Sequence, residues 1–232
     1  MGTTPRVSSV EMDVPRRQSP WRFLLAAIAI LVIWYLFIRP GGEVLDAAER
    51  ADLLRLAREQ LTVAAAGGDL IEVDETVLSP RLVLPGSAFV SLSTDGELRG
   101  CMVDTFEAHE SLYENVLRNT VLAASGDERF PAVTPEELDR IRIAISVLTP
   151  PLQVDFEHPN ELSDQLKPGL DGVILTVDDA TATYLPDIWE TFPDPEEFLS
   201  HLCEKAGLSP ERWREAPYPT IETYRAFRFE EP

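Results

Sequence analysis

The sequence predicts an α+β fold, because strand-like and helix-like segments are mixed along the chain without the regular β-α-β rhythm of a doubly wound sheet. The strongest strand signal lies in residues 140–149, where apolar side chains occupy every second position. The strongest helix signal lies in residues 43–66, where apolar side chains recur at three- and four-residue spacing. Hydrophobic residues make up 44% of the chain, and no internal linker interrupts residues 43–232. We therefore expect this stretch to form one domain.

A transmembrane helix is predicted ahead of that domain. Residues 23–38 carry no polar side chain except the Tyr35 hydroxyl, and Arg22 and Arg39 flank them. The run is about 27 Å long at a helical rise of ~1.5 Å per residue, the short end of what crosses a bilayer. A cleaved signal peptide is the alternative, but the run is longer than a usual apolar core and no small-x-small cleavage site follows it. We assign residues 21–39 to the helix.

The flanking segments and the arginine distribution predict how this helix is oriented. Residues 1–20 read as a disordered tail and residues 40–42 as a short linker. Arg16, Arg17 and Arg22 precede the helix closely, whereas only Arg39 follows it directly. The positive-inside rule therefore places the N-terminus in the cytoplasm and the domain outside it. Three further arginines between residues 50 and 58 weaken this bias, so the opposite orientation stays open.

Turn and cap signals delimit the elements of the domain. Asp95-Gly96 is a hairpin turn signal between two strand-like segments, and Gly67-Gly68 ends the first helix. The predicted elements are a helix within 43–66, strands 87–92 and 98–103, a helix over 106–124, a capping box with proline at 134–137, a half-buried strand over 140–149, strands 172–177 and 181–185 turned at Asp178-Asp179, a helix from Asp194 to Gly207, and one final strand through Ile221, Thr223, Phe227 and Phe229.

Charge and composition exclude several classes of function. The formal net charge of the whole chain is -20. Residues 1–39 hold five arginines and two acidic residues, so the remaining 193 residues have a net charge of -23. So acidic a domain is not expected to bind nucleic acid, which needs a basic face. Two cysteines exclude a disulfide framework and a four-cysteine zinc site. Glycine-rich phosphate loops and metal-like histidine spacings are missing from the sequence, so we predict no cofactor and no metal site.

Cys101 is the strongest candidate for a chemically reactive residue. It follows Arg99 and Gly100 on the returning strand of the hairpin, and a thiolate beside a guanidinium would have a lowered pKa and act as a nucleophile. Gly100 would permit the close approach of another backbone or a ligand. The alternative is a buried cysteine that acts as a small apolar residue. Cys203 is expected in the core, and a bridge from Cys101 to Cys203 stays open in an oxidising compartment.

Seven segments in a fixed order carry a resemblance to a known family. They are GSAFVSL (86–92), GELRGC (96–101), DERFP (127–131), ISVLTP (145–150), GLDG (169–172), TYLPDIW (183–189) and FLSHLCEKAGL (198–208). Together they resemble the AMMECR family over nearly all of residues 43–231. The resemblance implies a two-lobed α+β domain with an antiparallel or mixed sheet and flanking helices. Most relatives resemble soluble cytoplasmic proteins, so the one transmembrane helix that the apolar run predicts ahead of this domain is a departure from the family. The resemblance also implies a pocket near Arg99, Gly100 and Cys101.

The resemblance gives a genomic context and shows two further departures. Similar prokaryotic domains occur beside Memo-like and radical-SAM proteins, which implies a shared pathway and does not name a reaction. The family usually continues Arg-Gly-Cys with Ile-Gly, whereas this chain has Met102-Val103. It also tends to place an acidic residue where this chain has Ala144, which removes a potential base or a partner for Arg99.

Two functions follow as hypotheses. The first is a membrane-tethered module that binds a ligand or a protein partner, anchored by residues 21–39. The second is an enzyme or redox protein in which Cys101 is the catalytic thiol and Arg99 binds an anionic group. In that case Asp127 would be a second catalytic candidate, and Gly100 and Arg129 would help to bind the ligand. Oligomeric state is not predictable from these patterns.

Overall fold

The computed structural model describes residues 44–232, which form an α+β fold of two antiparallel four-stranded sheets with flanking helices. The α-helices are α1 (Ala47–Ala65), α2 (Leu112–Ser125), α3 (Leu162–Gln165) and α4 (Pro195–Lys205). The strands are β1 (Ser87–Thr94), β2 (Glu97–Met102), β3 (Ile141–Leu148), β4 (Leu152–Gln153), β5 (Gly172–Val177), β6 (Ala180–Tyr184), β7 (Thr220–Tyr224) and β8 (Ala226–Glu230). The first sheet has the order β2-β1-β3-β8 and the second β4-β7-β5-β6.

The predicted transmembrane helix, disordered tail and linker lie outside the described residues. Within residues 44–232, none of the helices combines the length and the apolar character needed to cross a membrane.

Side-chain caps place the starts of the two long helices later than the apolar spacing predicts. The Asp46 carboxylate accepts the backbone N–H groups of Ala48 and Glu49, both at 2.9 Å, so α1 begins at Ala47 and not at residue 43. The capping box of Ser111 with Glu114 starts α2 at Leu112 and not at residue 106. The capping box at Thr134 is present, but it starts a short 3-10 helix, Pro135–Arg140.

Strand β3 is covered on both faces, although its alternation predicted exposure on one. Ala144 and Ser146 are 5% and 4% exposed. β3 lies in the interior of the first sheet, and α1 packs against it. On the other face Leu148 joins a buried cluster with Phe89 and with two residues of the second sheet, Ile174 and Tyr224. We call Phe89, Leu148, Ile174 and Tyr224 the inter-sheet cluster.

The final strand was predicted as one element, and this prediction is wrong. β7 belongs to the second sheet and β8 to the first, with Arg225 between them. Arg225 and Thr149, which follows β3, are joined by two hydrogen bonds. The Arg225 backbone N–H donates to the Thr149 hydroxyl over 2.9 Å, and the Thr149 backbone N–H donates to the Arg225 carbonyl over 2.9 Å. The Arg225 guanidinium also lies 3.1 Å from the Asp171 carboxylate. Arg225 is the one interruption in the alternation of Ile221, Thr223, Phe227 and Phe229, and a single polar residue does not predict a change of sheet.

Candidate functional site

The hairpin that carries Cys101 contains a β-bulge. Leu92 is opposite Gly100 and Ser93 is opposite Leu98, so Arg99 is an extra residue on β2. The Arg99 guanidinium donates to both carboxylate oxygens of Glu137, at 2.8 and 3.2 Å, and its side chain is only 12% exposed. The guanidinium predicted to bind an anionic group is therefore paired with a carboxylate of the domain itself.

Gly100 is packed against the backbone of α2. A Cβ atom at this position would lie 2.1 Å from the Ala123 carbonyl oxygen, far inside van der Waals contact. The partner that approaches Gly100 is thus a helix backbone, which fixes β2 against α2.

The Cys101 thiol is half-buried and bonded to its neighbour across the hairpin. Its Sγ lies 3.1 Å from the Ser91 hydroxyl oxygen, and its backbone N–H donates to Asp127 over 2.9 Å. The strand register places Ala144 beside Ser91, and Glu230 beside Ala144, in the same cross-strand row. Burial raises the pKa of the Cys101 thiol, whereas the Ser91 hydrogen bond and the charges of Arg129 and Arg228 act in the opposite direction.

Asp127 holds the loop after α2 against β2. One carboxylate oxygen accepts the Arg129 backbone N–H at 3.2 Å and its Nε at 2.9 Å; the other accepts Arg129 Nη2 at 2.7 Å and the Cys101 N–H. The side chain is 5% exposed. The hydrogen bond from the Arg129 side chain is the main reason why the pKa of Asp127 falls to about 2. A carboxylate so fully occupied and so acidic is a positioning group and a weak base.

Residues of the second sheet and of α4 form the other side of the site. The Tyr224 hydroxyl donates to the Tyr184 carbonyl at 3.2 Å and lies 2.9 Å from the Thr183 hydroxyl. Lys205 Nζ donates to the Thr183 carbonyl at 2.9 Å and lies 4.8 Å from the centroid of the Tyr184 ring. Cys101 packs against the inter-sheet cluster to which Tyr224 belongs. This packing brings the thiol and the lysine to the same region.

The electrostatics of this region involve three cationic side chains. Partial burial lowers the pKa of Lys205, and the positive charge of Arg129 lowers it further. Arg228 and Arg129 both act on the Cys101 thiol. We call Ser91, Cys101, Asp127, Arg129, Lys205 and Arg228 the Cys101 site.

The structure brings together three of the five predicted site residues. Cys101, Asp127 and Arg129 meet directly, Gly100 lies on the α2 side, and Arg99 is bonded to Glu137. Sequence reasoning missed Lys205 and Arg228, which are more than 100 positions from Cys101. One signal for Lys205 was available in the sequence, namely the rarity of lysine. The chain has 18 arginines but only two lysines, Lys167 and Lys205.

The second cysteine lies in a separate core, and His201 lies on α4 one turn before Lys205 of the Cys101 site. Both cysteines are free thiols, and Cys203 is fully buried in a core with Phe198 and Trp213, so no bridge to Cys101 exists. His109 pairs with Glu107 on the surface, and His201 pairs with Glu204. Over the described range 44–232, acidic, histidine and cysteine side chains do not gather in groups of three or more that could hold a metal ion.

Comparisons with known proteins agree on one family. Residues 54–229 match the family model described as AMMECR1. Protein MK0488 of Methanopyrus kandleri is 37% identical over 194 residues, which cover 82% of this chain and 92% of that protein. Protein NEQ441 of Nanoarchaeum equitans is 33% identical over 175 residues, 75% of this chain and 94% of that protein.

A solved structure shows the same fold. The crystal structure of the uncharacterized protein PH0010 from Pyrococcus horikoshii superimposes with a TM-score of 0.74 at 30% sequence identity, covering 81% of this chain and 93% of that one. The resemblance noted in the seven sequence segments is thereby confirmed, and the chain belongs to the AMMECR1 family.

Proposed function

We propose that this chain is a single-pass membrane protein whose two-lobed AMMECR1 domain is a tethered binding module for a ligand or a protein partner. The observation that carries the proposal is the state of Asp127, whose carboxylate accepts four hydrogen bonds and so is not free to act as a base toward the Cys101 thiol. A nucleophilic thiol needs such a base or a lowered pKa. Arg129 and Lys205 instead offer charged donors at the surface.

The anchor in this proposal is the apolar segment 21–39. Tethering would raise the local concentration of the domain for partners at the bilayer. The arginines at the N-terminal flank favour a cytoplasmic N-terminus and a domain outside the cytoplasm. Because residues 40–232 carry -23, anionic headgroups would repel the domain over the ~8–10 Å of the Debye length. The domain would then stand off the membrane surface on its linker.

An enzyme or redox protein that uses Cys101 is the second candidate. One observation favours it: the Ser91 hydrogen bond and two nearby arginines partly offset the effect of burial on the thiol. In this case Cys101 would be the reacting group, and Asp127 would position it through its backbone N–H.

Alkaline carbonate extraction and protease accessibility in intact cells test the anchor. The full-length chain should stay in the membrane pellet, and Ile30→Arg should release it, because a charge at the centre of the segment costs ~3 kcal/mol on insertion. Cleavage by external protease should report the side on which the domain lies. Recovery of the wild-type chain in the carbonate supernatant would contradict anchoring.

Photocrosslinking separates the two candidate functions. A photoreactive residue at Glu128, which is exposed beside the Cys101 site, should give a reproducible adduct, whereas one at the exposed Leu152 should not. The adduct should be lost with Arg129→Gln and kept with Cys101→Ser. An adduct that requires the Cys101 thiol would support the enzyme instead.

A further inference from the structure

The ammonium group of Lys205 is held in a defined position without a carboxylate partner. Its Nζ donates one hydrogen bond, to the Thr183 carbonyl at 2.9 Å, and it lies above the Tyr184 ring. Over residues 44–232, no Asp or Glu oxygen lies within 4.0 Å of it. An ammonium group has three donors, so Lys205 retains capacity for a further acceptor.

Three carboxylates near the Cys101 site are already engaged. Asp127 is bonded to Arg129, Glu230 lies 3.2 Å from Arg228, and Glu204 pairs with His201. These three carboxylates have other partners, so none of them pairs with the Lys205 ammonium.

Arg129 supplies a second donor facing the same region. Its pair with Asp127 uses Nε and Nη2 and leaves Nη1 outside the pair, and its side chain is 60% exposed. Contacts link both cations to the surroundings of Cys101. Arg129 is bonded to Asp127, which accepts the Cys101 N–H. Lys205 is bonded to Thr183, whose hydroxyl contacts Tyr224 of the inter-sheet cluster against which Cys101 packs.

We infer that Lys205 and Arg129 together bind a small anion, a carboxylate or phosphate group, beside the Cys101 thiol. Lys205 contributes a point charge and Arg129 a directional N–H donor. A thiol that remains protonated does not repel an anion. This inference rests on the binding role proposed above and names the ligand class for the same site.

The two lysines of the chain make the test selective. The full-length protein in neutral detergent micelles, labelled with ¹³C and ¹⁵N only at lysine, gives two side-chain signals, and Lys167 is an internal control. Inorganic phosphate, and separately acetate, is titrated at ionic strength held constant with sodium chloride. At least one of them should raise the pKa of Lys205 in a saturable way, because a bound anion favours the charged ammonium. Lys167 should not respond.

Arginine variants identify the second ligand. Arg129→Gln should weaken the apparent affinity for the anion about tenfold, as expected for one lost charge-assisted hydrogen bond worth ~1.5 kcal/mol. Arg55→Gln, which removes an exposed guanidinium on α1, should leave the affinity unchanged. A titration with no saturable change at Lys205, equal changes at both lysines, or equal effects of the two variants would overturn the inference.

A lipid comparison distinguishes a soluble anion from a headgroup. In nanodiscs of neutral lipid, added phosphate or acetate should produce the same Lys205 response as in micelles. A response to anionic lipid alone, with none to the soluble anions, would overturn the assignment of a small anion. These titrations do not depend on a partner or on anchoring. A failed anion titration therefore leaves the Glu128 adduct and the carbonate extraction as separate tests of the binding module.

Discussion

At the scale of single residues, the one-residue bulge in β2 separates Arg99 from Cys101. Arg99 bonds to Glu137, whereas Cys101 packs toward the inter-sheet cluster and bonds to Ser91. Adjacency in sequence predicts that Arg99 lowers the pKa of the thiol. In the structure burial dominates, and the pKa of Cys101 is raised.

The pH dependence of alkylation by iodoacetamide measures the pKa of the Cys101 thiol. We expect the rate at Cys101, resolved by mass spectrometry, to rise with a midpoint above the ~8.5 of a free cysteine. Ser91→Ala should move the midpoint higher, because it removes a hydrogen bond that favours the thiolate. Ser93→Ala, two residues along the same strand, should leave it unchanged. A midpoint below that of free cysteine would favour the enzyme.

Gly100 is a second position at which a single residue decides the packing, because it has no side chain. Gly100→Ala should reduce the free energy of unfolding by about 3 kcal/mol, at the upper end of overpacking effects, because the added methyl would clash with the Ala123 carbonyl. Urea denaturation of the wild-type protein and of the Gly100→Ala variant measures the difference in the free energy of unfolding. Leu98→Ala, on the same strand but 45% exposed, should cost less than about 0.5 kcal/mol. Equal effects of the two changes would contradict the close packing.

At the scale of elements, Arg58 ties α1 to the end of β8. Its guanidinium bonds both carboxylate oxygens of Glu231 and donates to the carbonyls of Leu138 and Ile141, at 3.1 and 2.7 Å. The Glu231 carboxylate also accepts the Ile143 N–H at 2.9 Å. This network joins a helix, the 3-10 segment before β3, and the C-terminus.

Removing this network should destabilise the domain measurably. We expect Arg58→Ala to lower the free energy of unfolding by about 2 kcal/mol, since it leaves a carboxylate that is only 18% exposed without its cation. Arg55→Ala, which breaks an exposed pair with Glu59 on the same helix, should cost under about 0.5 kcal/mol. A double-mutant cycle of Arg58→Ala with Glu231→Ala should show coupling above ~1 kcal/mol. Simple additivity would refute the network.

At the scale of the whole molecule, two carboxylates link stability to acid pH. The pKa of Asp127 and the pKa of Glu137 are each lowered to about 2. The main cause is a hydrogen bond from an arginine side chain, which is Arg129 for Asp127 and Arg99 for Glu137. Their ordinary values in an unfolded chain are about 4. A depressed folded pKa contributes stability that is complete above the unfolded value and is lost as pH falls toward the folded one.

The free energy of unfolding should therefore decline as pH falls from about 4 to 2. Urea denaturation at steps across this range measures the decline. Glu137→Gln should flatten it, because it removes one of the two carboxylates whose pKa falls to about 2. Glu128→Gln, a change at an exposed acid next to Asp127, should keep the wild-type slope. An unchanged slope for Glu137→Gln would contradict the linkage.

Local patterns predicted most elements of the fold, whereas the site required tertiary contacts. The hairpin turn at Asp95-Gly96 is present, with φ of 55° and 86°, because these two residue types tolerate the left-handed region that the turn requires. The helix after Asp194 begins at Pro195, and Gly207 follows its end in the left-handed region, as the cap signals predict. Each of these signals lies within a few residues of the structure it specifies.

By itself, the sequence determined the family, the caps and turns, and the apolar segment from which an anchor is predicted, because these depend on neighbouring residues or on an ordered set of motifs. Only the tertiary structure decided where Arg99 is bonded, where the chain crosses between sheets at Arg225, and that Lys205 reaches the surroundings of Cys101. The physical reason is that strand register and burial act between residues far apart in the chain. One extra residue in a strand redirects a side chain, and no local pattern records which distant groups then meet.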